Sequence, residues 1–161
     1  MSASAFIKGY TGISRKLNSE AVIEYNGNSE KVDAIWDTGA TVTCISMKVV
    51  SKLNLKPLGK QRIFTPAGEK IVNTYRVNVV LPNNVTAQNI VVCDSDIDGL
   101  KIGALIGMDI ISHGDFAVSN YKGKTSFTFR TPSQKNTDYV AELKFKDAIG
   151  QPHGKGKRKH K

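Results

Sequence analysis

The sequence predicts an all-β domain, because short β-type runs separated by turn residues follow one another from about residue 18 to residue 130. Two observations favour this fold class. A turn signal, Asn26-Gly27-Asn28, separates two β-rich runs and is typical of a hairpin. A longer run, residues 70–81, alternates apolar and polar side chains as a half-buried strand does. With 161 residues and no internal repeat, the chain is long enough for one domain with its own core.

The first half of the chain gives three strands and a helix. Residues 21–25 and 31–36 are the arms of the first predicted hairpin, and residues 41–45 form a third strand-like run. Ser46 is a typical helix N-cap, and Met47, Val50 and Leu53 follow it at helical spacing. We therefore expect a short helix that ends near residue 53.

The second half predicts further hairpins. Residues 61–65 and 70–81 flank the turn sequence Pro-Ala-Gly-Glu, and residues 85–93 form the next strand. Residues 108–113 suit one or two helical turns that end at Gly114, and residues 115–121 and 125–130 suit a closing hairpin. Six side chains of the long arm are expected on one face of its sheet: Ile71, Asn73, Tyr75, Val77, Val79 and Leu81.

One short run indicates chemistry. Residues 34–40 read Ala-Ile-Trp-Asp-Thr-Gly-Ala, so a buried strand delivers the carboxylate of Asp37 to a tight turn. The glycine in that turn allows a substrate or another backbone to come close. By itself the motif also suits a simple turn between strands, since Asp and Gly both favour turns.

The run resembles the Asp-Thr-Gly loop of the retropepsin-like aspartic proteases. A second motif, Leu-Ile-Gly-Met-Asp-Ile at residues 105–110, is similar to the apolar-apolar-Gly segment that this family places behind the loop. The order of elements over residues 18–131 also matches, in a pattern more like retrotransposon and cellular members than compact viral ones. The resemblance implies a closed, barrel-like single domain with one or two short helices and a flap hairpin.

The resemblance also implies an aspartic endopeptidase that needs no metal and no cofactor. Because the chain has one Asp-Thr-Gly and the reaction needs two carboxylates, we expect a homodimer that cleaves a protein or peptide substrate. The implied site residues are the catalytic Asp37, the loop-supporting Thr38, Gly39 and Ala40, the second-loop Leu105, Ile106 and Gly107, and the flap residues Pro66, Ala67 and Gly68. The rival hypothesis is a non-catalytic dimeric module that binds peptides, or nucleic acid through a basic tail.

Outside the core domain, we expect an N-terminal extension at residues 1–17 and a linker or short appended element at residues 132–150. Residues 138–149 suit either a helix or a strand. The formal net charge is +9, and five full positive charges lie in residues 155–161, within a basic tail at residues 151–161 that we expect to be disordered. That tail suits a solvated charge run, nonspecific nucleic acid contact through residues 155–161, or recruitment of an acidic protein substrate.

Compartment and metal signals are weak. No apolar run is long enough to cross a bilayer, and the N-terminus does not resemble a signal peptide, so we expect no membrane contact. The chain has only two cysteines, Cys44 and Cys93, which favours a reducing, cytoplasmic setting. We expect Cys44 to be a small buried core residue. Residues 94–99 match half of a calcium loop, but Leu105 stands where the ligating Glu should be, so we interpret them as an acidic surface turn.

Overall fold

A computed structural model describes residues 2–65 and 67–150. Its described part is mostly β, with two single 3-10 turns between strands. The strands are β1 (Ser4–Gly9), β2 (Asn18–Tyr25), β3 (Asn28–Trp36), β4 (Cys44–Ser46), β5 (Gly59–Thr65), β6 (Gly68–Val80), β7 (Thr86–Ser95), β8 (Ala104–Ile106), β9 (Asp115–Ser119) and β10 (Ser126–Thr131). The helices are α1 (Met47–Lys52), α2 (Met108–Ile111) and α3 (Tyr139–Gly150).

Six strands close into a barrel. They pair in the order β2-β3-β8-β4-β7-β6, and β6 returns to β2 through Val22↔Val80 and Ile23↔Val79. The fifth strand lies outside the ring, because it pairs with β6 alone. The all-β, barrel-like fold predicted from the sequence is therefore confirmed, and β5 and β6 form a hairpin arm attached to it.

Local sequence explains the first turn and the first helix. Asn26 and Gly27 both have positive φ, 47° and 80°, as a two-residue hairpin turn requires, and Tyr25 pairs with Asn28 across it. At the start of α1 the hydroxyl of Ser46 accepts a hydrogen bond from the Val49 amide at 3.3 Å. Both predictions are confirmed.

A second, three-stranded sheet packs aromatic rings around Trp36. Its order is β1-β10-β9, and the ring of Phe129 on β10 lies 5.0 Å from that of Trp36. Phe116 stacks on Trp36 at 5.7 Å, and Phe6 of β1 approaches it at 5.5 Å. The Trp36 indole N–H also donates to the Ser19 hydroxyl at 2.9 Å. Since Trp36 directly precedes Asp37, this sheet fixes the end of the strand that carries the carboxylate.

The structure settles one open point and corrects one expectation. Residues 139–149, for which the sequence allowed helix or strand, lie in α3, and the carboxylate of the preceding Asp138 accepts from Val140 N and Ala141 N in its first turn. The single face expected along β6 is wrong at its start, because Ile71 is 66% exposed while Val72 and Thr74 are buried. The predicted alternation of buried and less buried side chains holds only from Tyr75 onward. The predicted basic tail at residues 151–161 lies outside the described residues.

Candidate active site

Asp37 sits where β3 leaves the barrel. The third strand pairs in parallel with β8, and the Asp37 amide continues that ladder by donating to the Ile106 carbonyl at 2.9 Å. The chain then turns, with Gly39 N donating to Asp37 Oδ1 at 2.8 Å and Ala40 N to the Asp37 carbonyl at 3.2 Å. The carboxylate is half-buried, and Thr38 and Gly39 are exposed at the tip of this segment, which we call the Asp37 loop (residues 37–42).

The second predicted motif lies directly behind the Asp37 loop. A Cβ atom on Gly107 would lie 2.8 Å from the backbone carbon of Val42 and 3.0 Å from the Ala40 carbonyl oxygen, so only glycine fits there. The Met108 amide donates to the same Ala40 carbonyl at 2.8 Å. Ile106 is fully buried beneath the loop. The loop is therefore held against β8 and α2 by backbone contacts.

Thr43 and Asp109 complete this support, although the sequence reasoning gave them no role. Thr43 is fully buried, and its hydroxyl donates to Asp109 Oδ1 at 2.7 Å while it accepts from the Gly107 amide at 3.1 Å. The Thr43 amide donates to Asp109 Oδ2 at 2.9 Å. One signal was available in the sequence: Thr43 follows Gly39 closely, and Asp109 follows Gly107 closely.

A cleft of about 430 Å³ opens above the loop. Its lining includes Asp37, Gly39, Ala40 and Leu105, together with residues 61–65 of β5. Four of the residues predicted from sequence thus share one cavity with the hairpin arm. A half-buried carboxylate in such a lining can accept a proton from, or donate one to, a molecule bound in the cleft.

The remaining predicted residues lie around this cleft. Thr38 points outward at the loop tip, and Ile106 and Gly107 lie behind the Asp37 loop. Ala67 and Gly68 lie at the turn of the arm and line an adjoining cavity of about 320 Å³, and Gly68 has the positive φ, 116°, that glycine tolerates. Pro66 lies outside the described residues.

Asp94 joins the arm to the barrel. Its carboxylate is buried and accepts from Asn73 N at 3.1 Å, Asn73 Nδ2 at 2.8 Å and the Tyr75 hydroxyl at 3.1 Å. Burial, together with the hydrogen bond to Asp94, raises the pKa of Tyr75 above its ordinary value. The interpretation of residues 94–99 as a surface turn is therefore wrong for Asp94, which is a buried anchor for β6.

The described residues hold no group of three or more His, Cys, Asp or Glu side chains arranged for a metal ion. Within the same part of the chain, no helix is both long and apolar enough to span a membrane.

Known proteins resemble the chain in sequence and in fold. A family model described as "gag-polyprotein putative aspartyl protease" matches residues 23–113, which is more than half of the 161 residues. A retropepsin-like aspartic protease from Rickettsia conorii is similar in structure, with 18% identity, a TM-score of 0.53, and coverage of 81% of this chain and 97% of that one. The solution structure of simian foamy virus (mac) protease is also similar, with 27% identity and a TM-score of 0.42, and the match covers 60% of this chain and 92% of that one. A search of the curated proteins found no match.

Proposed function

The chain belongs to the gag-polyprotein aspartyl protease family, and on that premise we propose that it is an aspartic endopeptidase whose active unit is a homodimer. The observation that carries the proposal is the position of Asp37. Asp37 is half-buried and lines a cleft of about 430 Å³, on a loop held from behind by backbone hydrogen bonds.

The proposed reaction uses one Asp37 carboxylate from each subunit. A water molecule lies between the two; the ionised carboxylate takes its proton, and the protonated one donates to the oxygen of the scissile carbonyl. Two carboxylates this close share one proton, because both cannot be ionised together. Thr38 and Gly39 are exposed at the loop tip, where a second copy can reach them. We assign Thr38 to contacts across that interface, and Gly39 and Ala40 to close approach of substrate.

The hairpin arm is proposed to cover the substrate. Its β5 residues 61–65 line the same cleft as Asp37, and its turn carries Pro66, Ala67 and Gly68. An extended peptide would lie between this arm and the floor formed by Leu105 and the Asp37 loop. Closing the arm would exclude water from the reaction. Because both cysteines are free thiols, we place the protein in the cytoplasm.

The decisive experiment compares Asp37→Asn with Asp98→Asn. Both variants remove one carboxylate, but Asp98 is an exposed residue of a 3-10 turn outside the cleft. Each protein is incubated with a denatured proteome at several pH values, and new peptide termini are counted by mass spectrometry. We expect cleavage by wild type and Asp98→Asn and none by Asp37→Asn, with unchanged circular dichroism. Cleavage at the wild-type level by a folded Asp37→Asn protein would refute the assignment.

The dimer is tested by subunit mixing. Wild type is mixed with an excess of Asp37→Asn, and exchange is verified with a tagged copy. Because every mixed dimer carries only one competent carboxylate, activity per wild-type chain should fall as the excess grows. A protein that sediments as a monomer and remains fully active would overturn the homodimer, and so would activity that ignores the mutant after proven exchange.

A further inference from the structure

The only two cysteines of the chain meet at the cleft. Cys44 and Cys93 lie directly opposite each other in the parallel pair of β4 and β7, and their sulfur atoms are 3.0 Å apart. Both are free thiols. The separation of 49 positions along the chain hides this contact from any motif search.

The two thiols differ in access. Cys44 is half-buried rather than part of the sealed core, which corrects the expectation from the sequence, and it lines the same cleft as Asp37. Cys93 also borders this cleft but is only 1% exposed. A small reagent that enters the cleft therefore meets Cys44 first.

The two thiols also share a proton. The hydrogen bond with Cys93 raises the pKa of Cys44, and burial and the negative charges of Asp109 and Asp37 raise it further. The same hydrogen bond lowers the pKa of Cys93. Proton loss is therefore favoured at Cys93, and a Cys93 thiolate 3.0 Å away can take the Cys44 proton when Cys44 reacts.

We propose that Cys44 is a modification site for small-molecule disulfides in the cleft and that Cys93 is its resolving thiol. The structural basis is a reachable sulfur and a buried sulfur in contact on neighbouring strands. The outcome is an intramolecular Cys44–Cys93 disulfide that leaves no adduct in the cleft.

The chemistry balances in two exchange steps. Cys44 attacks a disulfide R–S–S–R while its proton passes to the Cys93 thiolate, which forms a Cys44–S–S–R bond and releases one R–S⁻. Cys93 then attacks the Cys44 sulfur, forms the protein disulfide and expels the second R–S⁻. The two thiol protons pass to the buffer or to the released R–S⁻ groups, and the protein is oxidised by two electrons while the reagent is reduced by two.

The backbone geometry allows the bridge. Neighbouring strands lie about 4.8 Å apart, and disulfides span Cα separations of about 4.4–6.8 Å. The sulfurs need to approach by only about 1 Å to reach bonding distance. A group left on Cys44 would occupy space in the cleft, whereas the bridge adds no atoms there, so resolution by Cys93 clears the cleft.

The test uses DTNB, an aromatic disulfide with a coloured thiolate product, on native, reduced protein without denaturant. Wild type should release two coloured thiolates per chain and end two hydrogen atoms lighter by intact mass, with no adduct. Cys93→Ser should release one and keep an adduct on Cys44. Cys44→Ser should release none until denaturant is added, because Cys93 is buried.

Several results would overturn the proposal. They are a wild-type product that keeps one or two adducts, a disulfide between chains on a non-reducing gel, or no reaction in the native state. If Cys93→Ser fails to fold, Cys93→Ala serves in its place, since it keeps the volume small and adds no polar atom. None of these readouts depends on peptide hydrolysis, so the outcome is separate from that of the proposed function.

Discussion

Replacing Thr43 with valine should destabilise the protein through the support of the Asp37 loop. The substitution keeps the shape of the side chain but removes its hydroxyl. That hydroxyl donates to Asp109 Oδ1 at 2.7 Å and accepts from the Gly107 amide at 3.1 Å, at a fully buried position. Valine therefore takes one donor from a carboxylate and leaves a buried amide without an acceptor.

The magnitude follows from those two losses. A hydrogen bond to a charged group contributes about 1.5–3 kcal/mol, and an unpaired buried amide costs about 1–3 kcal/mol. The extra methyl group of valine offsets about 0.8 kcal/mol. We expect the free energy of unfolding to fall by about 3 kcal/mol. With a urea dependence of about 2 kcal/mol per molar, the midpoint should drop by about 1.5 M.

Thr43→Ser is the matched control. It keeps the hydroxyl and loses one methyl group, so it should cost only about 1 kcal/mol. Urea titrations can be followed by the fluorescence of Trp36, the only tryptophan, which directly precedes Asp37. All proteins are compared at one concentration, since dimerisation would couple stability to concentration. Equal midpoints for Thr43→Val and wild type, or for the valine and serine variants, would refute the role given to the hydroxyl.

Two further predictions concern backbone space and pH. Gly107→Ala should unfold at markedly lower urea than wild type, because its Cβ would meet the backbone of Val42 at 2.8 Å; an unchanged midpoint would contradict this close contact. The pKa of Asp115 is well below its usual range, first because its carboxylate accepts a hydrogen bond from Ser133 and then because it accepts from the Gln134 amide and from Arg130. Stability from this group is present above about pH 4 and is lost as pH falls toward that lowered pKa. Asp115→Asn should therefore lose less stability than wild type between pH 5 and pH 2 in thermal melts, and equal losses would argue against it.

Local signals in the sequence account for the barrel and for the Asp37 loop. The Asn26-Gly27 turn, the Ser46 cap and the Asp-Thr-Gly run act over a few residues, so their chemistry is visible in order along the chain. The alternation of apolar and polar residues along β6 predicted which side chains are buried from Tyr75 onward. It did not predict that the buried side chains before that point are Val72 and Thr74. That change of face depends on how β6 leaves the barrel to pair with β5, which no local pattern records.

Contacts between distant residues could not be predicted in the same way. Thr43 and Asp109 are 66 positions apart, and each alone is an ordinary polar residue. The first strand pairs with β10 across more than a hundred residues, with Ser4 opposite Thr131. Helix α3 was ambiguous because its apolar residues, among them Leu143 and Phe145, remain exposed and so follow no buried face.

The proposed function assigns the floor of the cleft to the Asp37 loop and its cover to the hairpin arm of β5 and β6. The Asp37 loop is fixed by the ladder to Ile106 and by the hydroxyl of Thr43, inside a ring of six strands with no free edge. The β5 strand pairs only with β6, between Gly59↔Thr74 and Thr65↔Gly68, so this hairpin extends from the ring. Asp94 stands where β6 passes from arm to barrel and holds both Asn73 and Tyr75, which sets the point about which the arm would bend. In the proposed reaction, the carboxylate has to stay within hydrogen-bonding reach of one water, which suits its place on the closed ring, and the cover has to admit a peptide, which suits the hairpin beyond Asp94.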